Sequence, residues 1–358
     1  MKRVVLLLFL LLVLTLPVRA AEDIGIDTDV LEQELPEEAQ EMMPELSVQE
    51  NPELWLGAKS VIVRALAKTD GSLKRGLRLC AILIGLVTLC SVADMSSVSK
   101  FGGAVSAAGA LGICAAFIGE FHAMVSLAQD TIQSLSDYSA CMLPVLASAA
   151  AMSGNLNAAA ALHAGTLLFS ELLMHLICRL LIPGVFFYLA VATAEAALSS
   201  DALKELRELI GWLISKSLRI MVYIFLAFLS VTGVIGGAAD AVAVKTTKAA
   251  MSGMVPVVGG MISDASETLL AGASVIKNSI GVFGMIAILS ICILPFLKVG
   301  IQYLLLKVTA AVSGTVGLKP HIALLKNFST AMGYLLAMCG TCSLLLLISS
   351  VCFIKVVV

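Results

Sequence analysis

The sequence predicts an all-α polytopic membrane protein with six to seven transmembrane helices plus one or two re-entrant or interfacial elements. Three observations carry this. The 358 residues are 59% hydrophobic and 13% charged, against roughly 45–50% and about 25% in soluble domains. Several apolar runs approach or exceed the length of a bilayer span. Acids and bases are segregated along the chain rather than mixed over one surface. This composition argues against a water-soluble enzyme and against general disorder. With 6% aromatics and two Trp, a stacking platform for single-stranded nucleic acid is not expected either.

The net charge of −2 averages two unlike regions. Residues 1–20 read as a signal peptide: Lys2 and Arg3, the apolar run Val4–Leu16, then Pro17 and a small residue at Ala20. Residues 21–58 hold twelve acids and no Lys or Arg, an acidic exported leader that is flexible or partly helical. Residues 59–78 form a basic amphipathic segment, with Lys59, Arg64, Lys68, Lys74, Arg75 and Arg78 against Asp70. The positive-inside rule would hold that segment in the cytoplasm, whereas a working signal would export it. Export is the expectation taken here, because the signal is the stronger local feature.

Residues 79–358 form the polytopic domain. Leu79–Ala93 and Phe101–Gly119 are apolar, and the acidic stretch Glu120–Asp137 follows. Tyr138–Ser170 runs 33 residues without Asp, Glu, Lys or Arg, too long for one ordinary span and too short for two. Pro144 and the Gly154–Asn157 break inside it fit a broken helix or re-entrant hairpin. Leu176–Leu198 is the next span, interrupted by Arg179 and Glu195. Asp201–Arg219 repeats Leu at helical spacing between Lys and Arg, an interfacial amphipathic helix anchored by Trp212. Ile220–Ala239, Asn278–Leu297 and Phe328–Ile354 complete the spans.

Candidate chemistry is sparse. The nine cysteines lie in or beside apolar runs, and an odd number there does not make a disulfide framework. Cys339-Gly-Thr-Cys342 has no second pair or His partner, so packing by small residues outweighs redox or zinc chemistry. No phosphate-binding loop, dinucleotide fingerprint or His-Glu-x-x-His pattern occurs, and no catalytic residue, cofactor or metal is expected. Glu171, His175 and Arg179 share one helix face at i, i+4 and i+8. They form a candidate intramembrane polar stripe, either an ion relay or a self-neutralised packing stripe, the latter preferred. Glu195 is a lone intramembrane acid or an interfacial residue. Ala104, Ala108 and Gly112 form a small-residue row of the kind that lets helices approach closely.

Residues 240–284 are the most distinctive. Their short apolar blocks are punctuated by Lys245, Lys248, Asp264, Glu267 and Lys277. Pro256-Val257-Val258-Gly259-Gly260 breaks a helix. Asp264 and Glu267 then suit the N-terminal dipole of the next one. This is a re-entrant or interfacial element, with Pro256, Gly259, Gly260, Asp264, Glu267 and Lys277 as a candidate structural or pore element. The stretch resembles the stage III sporulation protein AE family of endospore-forming bacteria. The matching residues are Pro256–Gly260, Ser263-Asp264-Ala265 with Glu267-Thr268, Lys277–Gly281 and Pro295-Phe296-Leu297-Lys298.

The resemblance implies a non-enzymatic membrane subunit of a channel or secretion-like complex in the mother-cell membrane surrounding the forespore. Its partners would be other stage III A-operon sporulation proteins and the forespore stage II protein Q complex. Membrane lipid is a further partner, a homo-oligomer an open one, and nucleic acid is not expected. A stand-alone secondary transporter or ion channel is the alternative, with Glu171, His175 and the broken helices in its favour.

Overall fold

The computed structural model describes residues 35–43, 54–96, 102–152, 156–231 and 279–357. Of these, 94% are helical and none lies in a strand. The signal segment and the Pro256–Lys277 element lie outside the described residues. Six helical stretches among the described residues are long and apolar enough to cross a membrane, so the chain is a multi-pass membrane protein.

The acidic leader contributes α1 (Glu37–Gln40), and the basic segment divides between α2 (Leu54–Ala67) and the first turns of α3 (Asp70–Ser96). The opposite charges meet: the Lys68 ammonium donates to the Glu41 carboxylate. Arg64 donates to the Met43 carbonyl at 3.0 Å. Leu35, Ala39 and Met42 are buried, so this part of the leader is packed rather than solvated. The Lys68 hydrogen bond and charge hold the Glu41 carboxyl below its ordinary pKa.

Next come α4 (Gly102–Met152) and α5 (Leu156–Leu176), then a π-helical turn at Ile177–Leu181 and α6 (Ile182–Leu198). The chain finishes with α7 (Asp201–Val231), α8 (Ser279–Ser313) and α9 (Lys319–Val357). The antiparallel pair α8 and α9 forms the centre. Their most apolar windows are 72% and 78% buried, against 28% for α3 and for α4. Phe117 of α4 stacks on Phe328 of α9 with centroids 4.1 Å apart, and Phe121 meets Phe186 of α6 edge-on at 5.1 Å. This aromatic nucleus ties α4, α6 and α9 together.

Several boundaries differ from the sequence expectation. The acidic stretch Glu120–Asp137 does not separate two spans: α4 is one helix of 51 residues, about 76 Å long at 1.5 Å per residue. No Pro lies between residues 101 and 143. The polar residues support one another along the helix, Ser126 to Asp130 at 3.5 Å and Gln133 to Asp137 at 2.8 Å. Likewise α7 runs through residue 219 without a break, so the amphipathic segment and the following span are one helix.

The chain from His163 to Leu198 is continuous through the π turn. Pro183 explains the turn, since it lacks an N–H and its ring crowds the carbonyl four residues back. Widening the preceding turn relieves both, and the Ile182 N–H bonds the Ile177 carbonyl, five residues away. The Ala104–Ala108–Gly112 row faces outward, and a Cβ on Gly112 would meet nothing. Close approach occurs at Gly109 instead, where a Cβ would sit 2.6 Å from the Cys90 sulfur and 2.7 Å from the His321 ring. The predicted row therefore marks small residues correctly but not the packed face.

Candidate functional site

The described part of the chain concentrates polar and charged side chains at a crevice of about 430 Å³ between α6, α7 and α9. It arises from a tight hairpin. Ser199 takes the left-handed conformation (φ 51°), and its N–H bonds the Glu195 carbonyl at 2.8 Å, which ends α6. Ser200 follows and α7 begins at Asp201. The short turn returns α7 along α6 and brings Arg207 to Glu195.

Arg207 Nε donates to Glu195 Oε2 at 2.6 Å, and the two side chains are 14% and 17% exposed. A second contact, 3.5 Å, joins Arg207 Nη2 to Glu208. The guanidinium carbon stands 6.0 Å from the Tyr188 ring centre, at the outer edge of cation–π range. Tyr188 donates its hydroxyl to Asn327 Oδ1 at 3.2 Å and meets Tyr334 edge-on at 5.4 Å. Three helices are thereby joined through one polar chain from Glu195 to Asn327.

Gly211 makes the fit possible, because a Cβ there would lie 2.5 Å from the Tyr334 hydroxyl and 3.4 Å from the Tyr188 ring. Further along the same wall stand Ser215, Lys216 and Arg219. Among the described residues, neither Lys216 nor Arg219 has an ion-pair partner. The crevice thus carries three cationic groups and the acid Glu208 beside aromatic faces, hydroxyls and an amide, a lining whose excess of positive charge suits an anion.

Glu195 is therefore paired rather than lone, and the sequence reading did not foresee Arg207, Tyr188, Asn327 or Tyr334. One signal was present. Arg207 falls on the row of residues 207, 211, 214, 218, 221, 225 and 229, which the structure turns inward while Leu206, Leu209 and Leu213 face out. A base on the same face as Gly211 needs an acid within reach.

Glu171, His175 and Arg179 lie on one exposed face, as their spacing requires. His175 Nδ1 is 3.1 Å from the Glu171 carbonyl oxygen, not its carboxylate. No ion pair joins the three among the described residues. Arg179 sits within the π turn. Pro256, Gly259, Gly260, Asp264, Glu267 and Lys277 lie outside the described residues.

None of the nine cysteines forms a disulfide, and Cys339 and Cys342 are buried in α9. Among the described residues no group of three or more His, Cys, Asp or Glu gathers to hold a metal ion. His321 is fully buried with Nε2 3.0 Å from the Ser106 carbonyl, so this ring fastens α9 to α4.

The chain is 26% identical over 232 residues to a Bacillus subtilis (strain 168) protein named Stage III sporulation protein AE. That match covers 65% of this chain and 58% of the relative, so it spans less than two thirds of the relative's length. No solved structure matches the chain. The family model described as Stage III sporulation protein AE matches residues 42–356, and with nearly the whole polytopic body covered, the chain belongs to that family.

Proposed function

We propose that the chain is a non-catalytic membrane subunit of a channel or secretion-like complex between mother cell and forespore, seated in the mother-cell membrane around the forespore. The family match over residues 42–356 carries the reading. The family is one of sporulation proteins and not a known enzyme family. The proposed partners are other stage III A-operon sporulation proteins and the forespore stage II protein Q complex. Pro256, Gly259, Gly260, Asp264, Glu267 and Lys277 are proposed as its structural or pore element, on their sequence pattern.

A feature of α4 supports assembly. His122, Ser126, Asp130, Gln133 and Asp137 form an exposed polar row in a helix that is apolar on either side of it. Polar and ionisable groups of this kind face a neighbouring protein or a water-filled space rather than lipid tails. The same row, with Glu171 and His175, is what favours the second reading, a stand-alone transporter or ion channel.

Reconstitution separates the two. The purified chain, alone in sealed lipid vesicles, is expected to pass neither protons nor small ions. Flux through the lone chain that Glu171→Ala/His175→Ala abolishes would replace the subunit reading with the transporter.

A further inference from the structure

We propose that the crevice between α6, α7 and α9 binds the phosphate of an anionic glycerophospholipid, with Lys216 and Arg219 as its principal cations and the acyl chains along the outer face of α7. The inference rests on the geometry of this crevice and is independent of the sporulation role.

Charge is the first support. Arg207 is committed to Glu195, and Glu208, the one acid in the crevice lining, stands 3.5 Å from the same guanidinium. Lys216 and Arg219, one helical turn apart, line the same cavity without an acidic partner among the described residues. Two such cations on one wall repel each other unless an anion sits between them. Asn327 has its Oδ1 taken by Tyr188, which leaves its amide N–H group as a neutral donor on the opposite wall.

The second support is what adjoins the crevice. Lys216 stands one turn from Leu213 on one side and from Ile220 on the other. Leu213 and Ile220 are each 53% exposed, and Ile224 continues the same outward row. This row covers nothing within the described chain. Trp212, in the crevice lining, and Tyr223, one turn beyond Arg219, are exposed as well. Such aromatic residues settle at headgroup depth. A cationic pocket that opens onto an apolar helix face between interfacial aromatics matches a lipid, whose phosphate and chains must be satisfied together. A free phosphate would satisfy only the cations. A zwitterionic headgroup would bring a cation of its own toward Lys216 and Arg219.

The test is lipid binding to the purified full chain in neutral detergent, read by native mass spectrometry during titration with phosphatidylglycerol or phosphatidylcholine. The wild type is expected to retain phosphatidylglycerol in preference. Lys216→Gln/Arg219→Gln should weaken that retention roughly 10- to 30-fold. Lys74→Gln/Arg75→Gln removes two exposed bases on α3 and should leave it unchanged. Because Lys216 is only partly buried, the single variant Lys216→Gln stands in if the double variant does not fold, with an intermediate loss expected. Equal retention of phosphatidylcholine by the wild type would overturn the proposal, as would undiminished phosphatidylglycerol binding by the variants. Complete displacement by inorganic phosphate at equal concentration would reassign the crevice to a soluble anion.

Discussion

Removing the Glu195 carboxylate tests the hairpin on which the crevice is built. The Arg207–Glu195 contact is 2.6 Å long, and its side chains are about one-sixth exposed. Hydrogen bonds to charged groups contribute about 1.5–3 kcal/mol. Leaving one member of a fully buried pair alone costs about 3–5 kcal/mol. Partial exposure and the nearby Glu208 place Glu195→Ala below that upper range, at about 2–3 kcal/mol. Glu195→Gln keeps an acceptor oxygen and should cost about 1 kcal/mol. Arg207→Met removes the stranded cation while preserving its packing, so Glu195→Ala/Arg207→Met should be less destabilised than the sum of the single variants by about 1–2 kcal/mol. The assay is reversible unfolding of the four proteins in one detergent, taken as a double-mutant cycle. Strict additivity would refute the reasoning, because the pair would then contribute no more than two independent side chains.

Other expectations follow from the packing and the turns. At Gly165 a Cβ would fall 2.0 Å from the Phe228 ring, so Gly165→Ala should cost about 1–3 kcal/mol by overpacking. Unchanged thermal stability in detergent would count against the α5–α7 contact. Ser199→Gly fits the left-handed position and should leave stability within about 0.5 kcal/mol, whereas Ser199→Val should cost about 1–2 kcal/mol; melting curves of the two variants decide it. The depressed Glu41 pKa means that its contribution is full above the ordinary carboxylate range and is lost only as pH falls through the lowered folded value. Limited proteolysis of residues 35–43 during acidification should therefore show loosening at lower pH than an ordinary carboxylate would give. Lys68→Met should remove that protection and its pH dependence.

The sequence was informative where a membrane and local stereochemistry impose the same answer. Composition and apolar length sufficed for the helical membrane class, since a bilayer admits few other structures. Pro183 and the wide turn before it are connected by backbone chemistry alone. The periodicity of 201–219 identified a helix but did not tell its inward face. Leu206, Leu209 and Leu213 repeat as a core row would, yet they face outward, while Gly211, Ile214 and Leu218 pack. In lipid an apolar residue gains little by turning inward, so small and polar residues decide the packed face. Glu195 could not be paired in advance because its partner is twelve residues on, across a turn whose tightness depends on the left-handed Ser199. The length of α4 was hidden for a related reason. Phe101–Gly119 and Tyr138–Ser170 read as separate apolar runs with acids between them, but nothing between residues 120 and 137 breaks a helix, and the i, i+4 polar pairs sustain one.

The central claim, that the chain works inside an assembly of sporulation proteins, is tested most directly by affinity purification of the tagged full chain from solubilised membranes of sporulating cells. The co-purifying proteins are identified and quantified by mass spectrometry. The account predicts that other stage III sporulation proteins accompany it in fixed proportion. A stable particle containing this chain and no other sporulation protein would contradict it.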